Sequence, residues 1–433
     1  MAETTYVRTE MLPPKPPPPS QTGVVGWMRE NLFDGWKNTL LTLVALYVVY
    51  ALLSAALPWF LHAVWDADSL NECREVIKAS WGPEADGACF AVIRDRWHQM
   101  LYGFYPQELY WRPNLAFVLM LVALSPVLFP NLPRRMLLFS LVYPFLGYWL
   151  LWGGTMWAPV SWALGFVLGY FAFVIVNDRG GTILAAIAAV IVPLLWWFFG
   201  AGPFADLVQS LIPISLTDVE SRQFGGFMLS VTIGITGIVG SLPLGIILAL
   251  GRQSNLLMVK SLSVGFIEFI RGVPLITLLF VASTLLNIFM PPGTNFDIIL
   301  RVVIMVTLFS AAYVAEVVRG GLAALPKGQY EAAAALGLDY WKSMRLVILP
   351  QALKIAIPGI VSTFIGLFKD TTLVSIIGLM DPIGLTNAIR ANAEWQGIIW
   401  ELYGFVALVF WIFCFSMSRY SMYLESRLET GHR

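Results

Sequence analysis

The chain has 433 residues, with 27 Lys plus Arg balancing 27 Asp plus Glu, so no basic excess exists to hold a phosphate backbone and nucleic-acid binding is excluded. Hydrophobic residues make up 58% and charged residues 12%, about half the charge of an ordinary globular chain, and the mean hydropathy is +0.72. These values point to an all-α, polytopic transmembrane protein, in which the 17 Trp suit bilayer interfaces and the 36 Gly suit close helix packing.

Residues 1–39 form a leader whose Pro13, Pro14 and Pro16–Pro19 cannot continue a helix, and it reads either as a disordered segment or as a ligand for a Pro-recognising domain. The first apolar run starts near Leu40 and is long enough to stay as a span, unlike a cleaved signal peptide. Crossing about 30 Å of hydrocarbon takes roughly 20 apolar residues. The extension, residues 40–225, holds five such runs near Leu40–His62, Leu115–Phe129, Met136–Trp152, Val160–Val176 and Ile183–Gly200. The remainder, residues 226–433, holds five more near Gly226–Leu250, Pro274–Met290, Ile298–Val317, Ile355–Leu379 and Ile398–Met417. Ten spans are therefore expected. Cytoplasmic loops carry the Lys and Arg excess. With an inside N-terminus the cytoplasmic stretches receive Arg8, Lys15, Arg29, Lys37, Arg134, Arg135, Arg179, Arg252, Lys260, Lys327, Lys342, Arg345 and Arg433, whereas the turn Pro291–Asp297 has no basic residue. Both termini are expected in the cytoplasm.

The largest exterior loop, residues 63–113, contains Cys73 and Cys89, two of the three cysteines. On this topology both face an oxidising compartment, where they either close a bridge, contributing about 3 kcal/mol, or stand as two free thiols.

After about Gly225 charged residues enter apolar surroundings, which costs at least a few kcal/mol each without a partner, a cavity or an interface. Glu268 and Arg271 in FIEFIRGVPL, and Glu316 and Arg319 in AAYVAEVVRGGL, are each three apart and face one side of a helix. These are read as ion pairs. Lys369 and Asp370 in LFKDTTLVS, followed by Thr371 and Thr372, read as self-neutralising or as part of a pathway or gate. No clustered His or Cys pattern, no paired nucleophile and base, and no G-x-x-x-x-G-K-[ST] phosphate loop occurs, so neither a catalytic nor a metal site is expected and the chain is not itself an ATPase.

Between the eighth and ninth spans lies a patterned loop, residues 319–354, containing LPKGQYEAAAALGLDYWKSMRLVILPQALK, with IAIPG following. Its alanines favour a helix from Glu331 to Leu336, Gly337 can supply a left-handed stop, Asp339 can cap a second helix, and Pro350 is expected to end or bend that one. A row of alanines admits close approach of another backbone at little entropic cost.

EAAAALG followed by ILP resembles the EAA loop of ABC-importer permeases. EFIRGVPL, AAYVAEVVRGG, LPKGQYEAA, ILPQALKIAIPG and KDTTLVSIIG occur in the order seen in permeases of the polar amino-acid uptake family. The five extra spans resemble, in architecture, the permeases of broad-specificity L-amino-acid importers, including those for glutamate, glutamine, aspartate and asparagine. The resemblance implies a type I importer core in which Glu331, Ala332, Ala333 and Gly337 seat in a cytoplasmic ATPase dimer. ATP and Mg would be bound by that partner. It also implies a periplasmic amino-acid-binding protein, a second and homologous permease subunit, and placement in a bacterial inner membrane. Tyr313, Glu316, Lys369, Asp370, Thr371 and Thr372 offer the charges and hydroxyls that a zwitterionic amino-acid substrate would need. An ion-coupled secondary transporter is the alternative, but it gives no reason for the alanine-faced loop. The role of the extra spans is open between packing around the core, enlarging the docking surface and recruiting lipid.

Overall fold

An apolar run of about 20 residues crosses a bilayer as a helix, which pairs every backbone N–H and C=O within the segment. The computed structural model describes residues 23–289 and 297–428 and forms these runs as helices. The proline tract, residues 291–296 of the expected turn and Arg433 lie outside the described residues.

The chain divides into two compact units, one ending at Ala91 and the other beginning at Val92. In the first, α1 (Gly23–Asn31) precedes α2 (Gly35–Leu61), a helix apolar on all sides with no buried residue. The third helix, α3 (Leu70–Trp81), starts where the Ser69 hydroxyl accepts the Glu72 N–H at 3.2 Å. Cys73, fully buried on α3, is joined to Cys89 with the Cα atoms 5.9 Å apart. The His62 ring stacks on Trp81 beside this bridge.

The second unit contains α4 (Ala91–Tyr102, from its second residue), α5 (Trp111–Leu128), α6 (Met136–Trp152), α7 (Trp157–Leu195) and α8 (Ala201–Leu211). Two-residue strands β1 (Gly154–Thr155) and β2 (Ser215–Leu216) pair antiparallel between them. It continues with α9 (Gly226–Gln253), α10 (Leu257–Gly272), α11 (Leu275–Phe289), α12 (Ile298–Ala323), α13 (Lys327–Ala335), α14 (Tyr340–Ser343), α15 (Leu349–Asp370), α16 (Pro382–Arg390) and α17 (Trp400–Leu428). Within α7 the chain doubles back at Gly181, where φ is +78°, a conformation that an L side chain resists.

Among the described residues, eight helices are long and apolar enough to cross a membrane, or nine if a bent pair counts as one span, against the ten expected. The difference has two sources. Met136–Trp152 is a 17-residue helix at the lower edge of spanning length. The expected seventh span is the second arm of a broken pair, Leu257–Gly272 and Leu275–Thr284, bent by 101° where Gly272 and Pro274 interrupt the ladder. The expected ninth span is part of a longer run, Tyr340–Ile377.

The close pair is α9 with α12. A Cβ on Gly237 would stand 3.1 Å from Val306 and one on Gly245 2.6 Å from Val314, so the register advances in the same direction on both helices and they run parallel. Small residues replace the hydrophobic drive that lipid cannot supply. Around the beginnings of α9 and α12, here termed the head, Leu229, Ile233, Leu279, Val302 and Leu379 share one core with Tyr105, Ala116, Leu150 and Val219. Segments between Tyr102 and Trp152 and between Leu216 and Phe224 are thus packed into the core. At the opposite end, the foot, Ala249, Ile267, Val318, Leu322, Ile348 and Ala352 form a second cluster.

Candidate functional site

At the foot a knuckle projects. Its first arm, α13, stops at Gly337, where φ is +70°, and the Gly337 and Leu338 N–H groups donate to Ala334 O at 2.9 Å and Ala333 O at 3.2 Å. The Asp339 carboxylate accepts the Lys342 N–H at 2.8 Å and caps α14. That hydrogen bond, with the Lys342 ammonium 3.1 Å away, holds the Asp339 carboxyl below its ordinary range. Glu331, Ala332 and Gly337 are exposed, but Ala333 is buried and turned into the chain, so it belongs to the support of the knuckle and not to its outer face. Leu336 at 77% and Trp341 at 70% exposure supply the apolar tip instead. Pro350 does not end the second helix: a single π turn, Met344–Ile348, carries α14 into α15, and that widened turn takes up the proline's ring and missing N–H.

Beside the knuckle's root three helices pool their charges. The Glu316 carboxylate on α12, 16% exposed, lies 2.8 Å from Arg252 of α9, 3.6 Å from Arg271 of α10 and 3.1 Å from Arg319. The Arg252 guanidinium also donates to Glu268 of α10 at 2.8 Å. The expected pairing of Glu268 with Arg271 is therefore replaced: Glu268 turns to Arg252, and Arg271 reaches Glu316 while its guanidinium sits 5.6 Å over the Tyr313 ring. The pair Glu316–Arg319 forms across its three-residue spacing. Arg252 escaped the sequence reading because a lone basic residue after a span looks like a marker of loop orientation. With three cations to two anions, the cluster ties α9, α10 and α12 together.

The other candidates lie elsewhere. Gly234 of α9 packs against Phe368 and Thr371, eighteen residues before Arg252, which separates the two groups by about 27 Å along the helix. Lys369 is exposed and Asp370 half-buried on the last turn of α15. The Thr371 hydroxyl, fully buried, donates to Phe368 O at 2.8 Å, and the Thr372 hydroxyl donates to Lys369 O at 2.9 Å. Tyr313 and Glu316 thus do not share a site with Lys369 to Thr372. Among the described residues no group of three His, Cys, Asp or Glu could hold a metal ion.

Asp381, beyond the α15 run, is a buried carboxyl that sequence reasoning missed. It caps α16 by accepting the Ile383 and Gly384 N–H groups, each at 3.0 Å, and burial pushes it up to about 6 from 3.8. A carboxyl raised on folding contributes stability that is fully present below about 3.8 and is lost as pH rises through about 6. Asp381→Asn keeps the cap and removes the charge. The variant should gain on the wild type by up to on the order of 3 kcal/mol between pH 4 and 7, and the two should run parallel above that. Apparent melting temperatures of the detergent-solubilised proteins across this range check it, and a constant difference would refute it.

Residues 241–430 match the family model described as binding-protein-dependent transport system inner membrane component. Over 434 aligned residues, covering the whole of both chains, the sequence is 59% identical to the glutamate/glutamine/aspartate/asparagine transport system permease protein BztC of Rhodobacter capsulatus. The chain belongs to the amino-acid ABC transporter permeases. This permease is also 42% identical to the inner membrane amino-acid ABC transporter permease protein YhdY of Escherichia coli, over 97% of each chain. The probable glutamine ABC transporter permease protein GlnM of Bacillus subtilis is 29% identical over 98% of its own length but only 50% of this one. The permease is accordingly a multi-pass inner-membrane transport subunit of the importer type, working with an ATPase and a substrate-binding protein.

Proposed function

We propose that this permease imports acidic amino acids and their amides, glutamate, glutamine, aspartate and asparagine, and that its foot is the cytoplasmic side. The likeness to BztC along the entire chain, extension included, carries the substrate reading. The knuckle geometry supports the coupling reading: Glu331, Ala332, Leu336, Gly337 and Trp341 stand out from the bundle with apolar surface and no cover from this chain. Such a surface suits the cleft of an ATPase dimer, which would bind ATP and Mg.

Closure of that dimer pulls on the knuckle. Because α14, the π turn and α15 run on as one stretch from Tyr340 to Ile377, the pull reaches the head through a continuous lever. A Cβ on Gly321 would overlap Ala352 O, so α15 also drags α12, and with it Glu316, whose bonds to Arg252 and Arg271 must then be remade. The charged cluster is in this reading a latch between two arrangements of α9, α10 and α12. A second, homologous permease completes the pathway, a periplasmic binding protein delivers substrate at the head, and both termini lie on the cytoplasmic side.

Affinity purification of the complex from its native membrane, followed by reconstitution with ATP inside the vesicles, tests this. ATP-dependent accumulation of labelled glutamate that unlabelled glutamine, aspartate and asparagine suppress is the expected result. Accumulation driven by an ion gradient without ATP would sink it.

A further inference from the structure

The import cycle leaves α4 unused, yet α4 is bonded to the head at two points. The Asp95 carboxylate accepts a hydrogen bond from Trp395 Nε1 at 2.8 Å. Arg96 lies 2.7 Å from Glu394, across 298 positions of sequence, and its Nε lies 2.8 Å from Asp95. Trp395 is fully buried, although Ala393, Glu394, Gln396 and Gly397 around it are exposed. The indole is therefore the pin of an otherwise exposed turn between α16 and α17. Just past the C-terminal end of α4, Gly103, at φ +71°, is so close to Gly225 that neither has room for a Cβ, and the Gly226 N–H donates to Met380 O at 2.8 Å. One short helix thus touches the beginning of α9, which is itself bonded to the approach to α16, and the turn before α17.

An ion pair in which Glu394 is half exposed adds little to stability, so holding the fold together does not account for it. What it fixes is a position. We propose that α4 is a brace on the delivery face: Asp95 and Arg96 are positioning residues that hold Trp395 and Glu394, and through them the α16–α17 turn, in the orientation that receives the amino-acid-binding protein. This rests on the import reading above, which puts the head on the periplasmic side.

The test uses the complete transporter in proteoliposomes with the amino-acid-binding protein that supports its uptake, loaded with L-glutamate. Arg96→Glu and Glu394→Arg should each raise the half-saturating concentration of loaded binding protein about tenfold, while the maximal rate and the ATP hydrolysis without binding protein stay within about twofold. The double exchange R96E/E394R re-forms the pair with its charges swapped but sets the new carboxylate against Asp95, so half-saturation should recover in part, to within about fivefold of wild type. Trp395→Phe keeps the ring but loses the N–H donor and should shift half-saturation the same way, by about threefold. Single variants that saturate like wild type, a double exchange as impaired as either single, or hydrolysis falling together with half-saturation would each overturn the brace. A wild-type complex that ignores the binding protein would overturn the import reading, and the brace with it.

Discussion

Replacing Glu316 by Gln is expected to lower the stability of the permease by about 2–3 kcal/mol and its apparent melting temperature by about 2–3 °C. One carboxylate answers Arg252, Arg271 and Arg319, and its loss leaves three guanidinium groups with Glu268 alone. The figure sits below that for a fully buried pair because the arginine side chains are 24% to 43% exposed, and water takes up part of the charge. The control is the double variant E316Q/R271Q, which removes a cation that Glu268 does not answer and should recover about a third to a half of the loss. Uptake should fall further than stability does, since the cluster is the proposed latch. Melting of E316Q within about a degree of wild type, with normal uptake, would remove the latch from the mechanism.

The second large effect is expected at the knuckle. Leu336→Asp places a carboxylate on a side chain that is 77% exposed and supports nothing in this chain, so insertion and yield should be unchanged. If the tip seats in an apolar cleft, burying that charge should cut ATP-dependent uptake at least tenfold, on the order of 1.4 kcal/mol or more of coupling. Gly337→Val acts by another route. Nothing lies within 4 Å of the added Cβ, so its cost is the backbone strain of a β-branched residue at φ +70°, about 1–2 kcal/mol, spent on tilting α14 relative to α13. Co-purification of the ATPase with each variant separates lost docking from lost transmission. Full uptake by L336D would show that the joint lies elsewhere.

Local chemistry was legible. Apolar runs mark the helices, and Gly337 and Asp339 mark the corner of the knuckle, because a left-handed stop and a cap depend on neighbours in sequence. Orientation within a uniform row was not: Ala332 and Ala333 carry no contrast in polarity, so only packing reveals that one faces out and the other in. Long-range pairing was hidden for a different reason. Glu268 and Arg271 have the spacing of a helical pair, but Arg252 from α9 offers Glu268 a closer cation, and sequence spacing says nothing about a neighbouring helix. The same holds for Asp95 and Trp395, which are 300 residues apart. The ten expected spans exceeded eight or nine because an apolar run fixes neither the length of its helix, 17 residues at Met136–Trp152, nor a bend such as the one at Gly272 and Pro274.

That bend has a mechanical consequence. Since α9 and α12 point the same way, the chain joining them must return once, and it does so through the pair α10 and α11 around a 101° turn. The first arm, α10, packs at the foot with α9 and α12 and lies steeply across the line of α11, like a crossbeam. A crossbeam can roll with little disturbance of lipid, and it is the element that carries Glu268 and Arg271. A small rotation of α10 would swing both side chains at once, exchanging one set of arginine contacts for another without moving any helix that passes from face to face.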